Sequence, residues 1–487
     1  MRKKLALVFP RFRYPSGDYP LGIATLAAYL RATLPLDVVV CDTTFDPRLE
    51  RIADFLDAEK PDFVGIGMST LMLGEGLAAA KMAKDRGLPV FVGGPHPTTD
   101  PGSILPYVDA CVIGEGEETA RDLLAMWLDG RSGPVEGAWV KEPDGTVHPS
   151  KRRGGIPDLD ELPLPAWDTL DMEAYIAAWG QLDTFSPGLR GVNLMASRGC
   201  PYECSFCQPV LDAMFGKKLR ARTPAHVVGE IVELHRRYAI EGFWFTDDTF
   251  TTNRKWVTEF CRLLRKTGLT LYWGCTTRAN LIAPELMKTM ADAGLRKVGI
   301  GAESATEHIR EEIYKKGVTA DAIAHTVQVA HDHGVHTLLF LMLGAPGETR
   351  DEMLQTIEMA TRLPASEASF SLFVPIPGTD LWKQMVDEGY VMSSDYTDYD
   401  YYAKQPFTGK ISRFELRLIQ RYAYLRFYSH PRRWRSVGRN ASTLQGMKSL
   451  GRKLLRIVPH GLAPRSPDLD ARTAEAARIV KGRVLPA

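Results

Sequence analysis

Residues 195–208 read Met-Ala-Ser-Arg-Gly-Cys-Pro-Tyr-Glu-Cys-Ser-Phe-Cys-Gln, which puts Cys200, Cys204 and Cys207, three of the chain's seven cysteines, within eight residues. Thiolate is a soft ligand that suits zinc and iron–sulfur centres. Structural zinc takes four protein ligands, often as paired Cys-x2-Cys units. Here no His or Cys follows closely, and Cys261 and Cys275 fall in other predicted elements. An iron–sulfur cluster held wholly by protein also needs a fourth cysteine. Three thiolates in a Cys-x3-Cys-x2-Cys loop suit a [4Fe–4S] cluster with one iron left to a ligand that is not protein.

Two series of elements must position such a loop. In residues 1–133, five apolar runs (LALVFP, DVVVCD, DFVGIGM, PVFVGG, DACVIG) alternate with helix-like stretches. This rhythm predicts a doubly wound, Rossmann-like parallel sheet with helices on both faces. Ligands in such a fold bind beyond the carboxyl ends of the strands. The loops there carry Ser69 and Thr70, Gly93 to His96, and Gly114 to Glu117. The Gly-x-Gly-x-x-Gly fingerprint of dinucleotide binding is missing after the first strand, which argues against nicotinamide or flavin. Residues 134–190 read as a linker of turns, with three prolines in IPDLDELPLPAW. Residues 191–380 open a second series (VNLMAS, GFWFTD, LTLYWGCTT, KVGIGAE, HTLLFLML, SFSLFVP), which predicts a partial (β/α)6 barrel of TIM type with its chemistry at the strand carboxyl ends. The cysteines follow its first strand. Residues 381–487 form a C-terminal extension read as mainly helical. The fold class is α/β throughout.

Bulk properties narrow the function. A net charge of +1 with 24% charged residues does not suggest wholesale nucleic-acid binding. No run of about 18 apolar residues exists, so no transmembrane helix is expected. The run Leu5–Pro10 is too short for a signal peptide. Seven unevenly spaced cysteines are not a disulfide framework, so a cytoplasmic protein with reduced thiols is expected.

CPYECSFC after the first strand of a partial barrel resembles the signature of radical S-adenosylmethionine (SAM) enzymes. The resemblance implies a [4Fe–4S] cluster on Cys200, Cys204 and Cys207 whose open iron is chelated by SAM. It places Phe206 near the adenine. It assigns Asp247 and Asp248 of FTDDTF to the SAM amino group, Glu303 or Ser304 of GAES to the ribose, and Gly344 of LGAPGET near the adenine. Arg278, after the third strand, is expected to face the SAM carboxylate. The first 133 residues and the linker resemble the cobalamin-binding domain found ahead of such barrels, through YPLGIATLAAYLR, GIGMSTL, VGGPHPT, GEGEE and LDELPLPAW. This implies cobalamin contacts from Ser69, Thr70, Leu71, Gly93, Gly94, His96, Gly114, Glu115 and Gly116. The chain departs from the pattern of cobalamin mutases and methionine synthase in one respect. PRFRYPSGDYPLG, after the first strand, has no Asp-x-His-x-x-Gly loop, so no histidine from that loop ligates cobalt. Leu71 or Met72 is expected to cap the lower cobalt face, and His96 to make a polar contact in the tail-binding loop.

The resemblance implies a methyltransferase. One SAM would supply a methyl group to cobalamin, and a second would yield a 5′-deoxyadenosyl radical that takes hydrogen from an unactivated carbon, which then receives the methyl. The alternative is a non-methylating cyclase or rearrangement enzyme of the anaerobic porphyrin-cyclase type, a group that FYSHPRRW (427–434) also resembles. A methylthiotransferase would need a second three-cysteine cluster, whereas the first domain has only Cys41 and Cys111. A non-catalytic sensor has no use for an open iron site. The expected partners are a small-molecule or lipid-like substrate and a flavodoxin- or ferredoxin-type electron donor, with no nucleic acid. Five tyrosines between Tyr390 and Tyr402 could form a lid over the barrel mouth or a surface strand pair packed on it. The stretch Leu416–Pro467 has twelve Lys or Arg and no acidic residue. Its segment 447–458 reads as a basic amphipathic helix, either packed on the barrel or making peripheral membrane contact.

Overall fold

The computed structural model describes residues 2–11, 16–392 and 411–433. The basic segment 447–458 and all of the tyrosine group except Tyr390 lie outside the described residues. The first sheet contains β1 (Lys3–Phe9), β2 (Leu36–Asp42), β3 (Phe63–Gly67), β4 (Val90–Gly93), β5 (Ala110–Val112), β6 (Ala138–Lys141) and β7 (Val147–His148). Their spatial order is β2-β1-β3-β4-β5-β6-β7. The five expected strands are parallel, and the order reverses between β1 and β3. In a doubly wound sheet that reversal opens a crevice at the strand carboxyl ends, here between the loops that follow Phe9 and Gly67.

The linker reading of 134–190 missed a hairpin. Strands β6 and β7 extend the first sheet antiparallel, closed by a turn in which Glu142 N–H donates to Thr146 O at 2.8 Å. The turn holds Asp144–Gly145, a pair that favours tight hairpins, and Gly145 has φ 89°. The proline-rich part of the linker does stay free of long elements. It packs Ile156, Leu159 and Leu162 into a small apolar cluster.

The second sheet is the partial barrel. Its strands are β8 (Gly191–Leu194), β11 (Gly242–Phe245), β12 (Tyr272–Thr277), β13 (Leu295–Glu303), β14 (His336–Leu343) and β15 (Glu367–Leu372), all parallel and in sequence order across the sheet. A two-residue ladder, β9 (Ser197–Arg198) with β10 (Arg220–Ala221), closes the base of the cysteine loop. Phe243, Phe245, Phe260 and Trp273 fill the wall between the first strands and the helix Arg254–Lys266. Each buried phenylalanine contributes roughly 1.5–3 kcal/mol by leaving water. An open barrel leaves an edge strand with unpaired backbone groups. The helix Arg413–Tyr428 covers that edge: Gln420 Nε2 donates to Phe370 O at 2.7 Å, and Phe370 N–H donates to Tyr424 Oη at 3.2 Å. Among the described residues no helix is long and apolar enough to cross a membrane.

Candidate functional site

The cysteine loop leaves the carboxyl end of β8 and returns through β10. Gly199 (φ 91°) begins it, and a side chain there would meet the carbonyls of Lys218 and Gly216 at 3.0 and 3.2 Å. A helical turn follows, with Cys207 N–H and Gln208 N–H both donating to Cys204 O. The loop is tied to the rest of the barrel by backbone. Ser205 N–H donates to Tyr314 O (3.0 Å), Ser205 Oγ to Ile313 O (2.5 Å) and Leu381 N–H to Ser205 O (2.9 Å). The three thiols are free, and Cys204 is buried. Burial pushes the Cys207 thiol up to about 12, with Asp248 and the neighbouring cysteines adding to the shift. Burial also raises Cys200. Such thiols are protonated at neutral pH until iron displaces the proton. Cys41, Cys111, Cys261 and Cys275 are all buried in sheet and helix cores, so none serves as a fourth ligand. Among the described residues no group of three His, Cys, Asp or Glu is arranged to hold a metal ion. A cubane makes a different demand, for thiols spread around a hollow rather than converging on a point.

Charged groups gather around this loop. Asp248 is exposed but recessed enough that desolvation raises its carboxyl. Thr249 Oγ1 lies 3.9 Å from Cys200 Sγ. Glu303 closes β13 at a break in register, with φ 60°, a backbone region that non-glycine residues seldom occupy. Its carboxylate accepts from buried Lys316 at 2.8 Å. Gly301 is needed there, because a Cβ would stand 2.7 Å from both partners. Lys316 Nζ also lies 5.8 Å from the centre of the Phe206 ring, which meets Tyr314 edge-on. The segment carrying Tyr314 and Lys316 is braced by buried Arg310, whose Nη1 donates to Ser304 O and Ala305 O. Beyond β14, Gly344 and Ala345 N–H donate to Glu348 Oε2 at 2.6 and 2.9 Å. Burial pushes Glu348 up to about 7. Glu348 Oε1, Tyr314 Oη and Arg278 Nε are buried without a hydrogen-bond partner. This barrel end thus combines three thiols, three buried cations (Arg278, Arg310 and Lys316) and unspent polar atoms, which fits a cluster with a charged small-molecule ligand.

Several residues expected to touch a cofactor make hydrogen bonds or ion pairs within the protein. Asp247 turns back to accept from Ala196 N–H (3.0 Å) and Ser197 Oγ, so it holds the strand leading into the cysteines. Burial raises it to about 6. Ser304 is fully buried with its hydroxyl on Thr356 and Thr306 (3.2 and 3.3 Å), away from the barrel mouth. Arg278, expected to face the SAM carboxylate, donates to Cys204 Sγ. His96 is buried; Nδ1 meets Thr70 Oγ1 (3.0 Å) and Nε2 meets Ser103 Oγ (3.3 Å), so its ring joins two loops of the first domain. Desolvation lowers it to about 4. Glu115 is engaged across the domain boundary. It pairs with Arg198 (3.0 Å) and Arg220 of the barrel, and Glu117 pairs with Arg198 at 2.6 Å. The GEGEE loop therefore grips the hairpin beneath the cysteine loop. Gly114 (φ 79°) lies close to Arg152 and Met214 O in the same contact, and Gly116 precedes the helix Glu117–Leu128. Leu71 remains exposed beyond β3, and Ser69 precedes its short helical turn. Gly93 ends β4, and Gly94 (φ 114°) turns tightly, its Cβ position 2.6 Å from Met68 O. An open apolar Leu71 beside a glycine turn fits the face of a flat macrocycle. Sequence reasoning missed Lys316, Tyr314, Arg198 and Arg220. A charged residue directly before the cysteine loop was the one available signal, for Arg198.

Comparison with known proteins agrees with this geometry. Residues 194–360 match the model of the radical SAM superfamily, and residues 16–124 match that of the B12 binding domain. The chain is 33% identical over 426 residues to an uncharacterized methyltransferase of Pyrococcus horikoshii, covering 85% of this chain and 88% of that one. It is 29% identical over 395 residues to the anaerobic magnesium-protoporphyrin IX monomethyl ester cyclase of Rubrivivax gelatinosus, covering 78% and 68%. Its fold matches the radical SAM methyltransferase TsrM of Kitasatospora setae, solved with cobalamin and a [4Fe-4S] cluster bound. That match has a TM-score of 0.67 at 21% identity over 80% of this chain and 78% of that one.

Proposed function

The chain belongs to the radical SAM superfamily, as an enzyme with a B12 binding domain, and from that premise we propose that it transfers a methyl group from SAM to an unactivated carbon. When bound, the cluster, SAM and cobalamin supply an organic radical and a carrier for the methyl group, so few side chains need to react. Cys200, Cys204 and Cys207 would hold the cluster. Asp248, Glu303 with Lys316, and Phe206 would orient SAM at the barrel end. Leu71 and the glycine turn at 93–94 would face cobalamin.

One observation carries the reading. The ion pairs of Glu115 and Glu117 with Arg198 and Arg220 join the first domain to the hairpin beneath the cysteines. Loops of both cofactor sites are thereby held in one frame, as a methyl transfer between two cofactors requires. A flavodoxin- or ferredoxin-type protein is the proposed electron source, and the substrate is a small molecule.

The test is anaerobic. The protein is loaded with iron, sulfide and hydroxocobalamin and given a reductant and methyl-labelled SAM. Label on the corrinoid together with S-adenosylhomocysteine supports methyl transfer. The identity to the Rubrivivax cyclase favours a second reading, a non-methylating cyclisation. Under that reading 5′-deoxyadenosine accumulates while the corrinoid stays unlabelled.

A further inference from the structure

Arg278 packs directly against the cysteine loop. It follows β12 and is buried at 6% exposure. Its guanidinium stacks on Tyr202, 3.8 Å from the ring centre. Nη1 donates to Cys204 Sγ at 3.4 Å, and Nη2 donates to Lys316 O. Tyr202 stands between the first two cysteines, and Lys316 carries the cation beside Glu303. One planar group thus contacts the loop and the Lys316 segment together. Each outer nitrogen makes one hydrogen bond inside the protein, and Nε is buried without a partner.

We propose that Arg278 is a positioning residue for the cluster: its hydrogen bond and charge at Cys204 set the reduction potential, a role separate from binding the SAM carboxylate. The physical reason is charge. Reduction adds an electron to a centre already surrounded by thiolates, and hydrogen bonds to the sulfurs stabilise the reduced form. A guanidinium also keeps its charge when buried. Its fork makes two bonds at once, which an ammonium on a flexible stem does not reproduce.

The inference rests on the cluster reading above, and the experiment separates the two. If wild-type protein loaded with iron and sulfide shows no four-iron spectrum, the cluster reading itself fails. Given that spectrum, Arg278→Gln and Arg278→Lys are loaded in the same way. Each is titrated potentiometrically without SAM, and SAM affinity is measured on the oxidised protein. The expected result is a four-iron cluster whose midpoint is more negative in Arg278→Gln, with a smaller shift of the same sign in Arg278→Lys. SAM affinity should change less than threefold. An unchanged midpoint with tenfold weaker SAM binding would overturn the proposal and make Arg278 a carboxylate contact. Loss of iron from both variants would also overturn it, because the residue would then serve assembly alone.

Discussion

The two sheets treat their sequence motifs in opposite ways. In the first domain the polar motif residues look inward or toward the neighbouring domain: His96 bridges Thr70 and Ser103, and Glu115 grips Arg198 and Arg220. What stays open is apolar or backbone, namely Leu71 and the glycine turn. At the barrel end the cysteine loop is flanked by charged motif groups, Asp248, Glu303 with Lys316, and Arg278. The difference follows from the ligands each end suits. A large flat macrocycle is held by shape and apolar area, whereas a cluster and a charged sulfonium need fixed charges.

Four changes probe that contrast, from the largest effect down. Cys204→Ala should abolish the four-iron spectrum and SAM cleavage while hydroxocobalamin binding persists, measured by absorbance and product analysis. Loss of cobalamin binding as well would mean that the two ends are not separable. Glu115→Ala leaves half-buried Arg220 without its carboxylate and buried Arg198 with Glu117 as its remaining carboxylate, which costs roughly 3 kcal/mol. Denaturation should show that loss, whereas a mere cobalamin contact would weaken cobalamin affinity and leave stability unchanged.

The third change is pH, and the two ends should respond with opposite sign. His96 has its pKa lowered to about 4 by burial. Its contribution is present above about 6.5 and lost as pH falls toward 4. Glu348 has its pKa raised to about 7 by burial. Its contribution is present below about 4.5 and lost as pH rises through 7. Each swing is about 3 kcal/mol by linkage. Relative to wild type, His96→Gln should gain stability on the acid side and Glu348→Gln on the neutral side. Parallel melting curves for a variant and wild type across pH 4–8 would refute the assignment for that residue. The smallest effect belongs to Ser304→Ala. It removes hydrogen bonds to Thr356 and Thr306 at a cost of about 1 kcal/mol. SAM affinity should stay the same, and a clear fall would restore Ser304 to the ribose.

What the sequence disclosed follows the range of each interaction. The cysteine loop was legible because its ligands lie within eight residues, and both strand series because their apolar runs recur. The Arg278–Cys204 bond spans 74 positions and the Arg198–Glu115 pair 83. Both depend on how elements dock, which no local pattern encodes. The aim of Glu303 depends on a register break and a left-handed backbone. The hairpin at β6 and β7 had a local signal in Asp144–Gly145, outweighed by the prolines and basic residues after it.

The central claim is that three cysteines hold a cluster whose fourth iron is reserved for SAM. Electron–nuclear double resonance on the reduced, reconstituted protein with SAM labelled at its amino nitrogen and carboxylate oxygen tests it most directly. The account predicts hyperfine coupling from both labels, lost when SAM is omitted. A four-iron spectrum with no coupling from either label would contradict it.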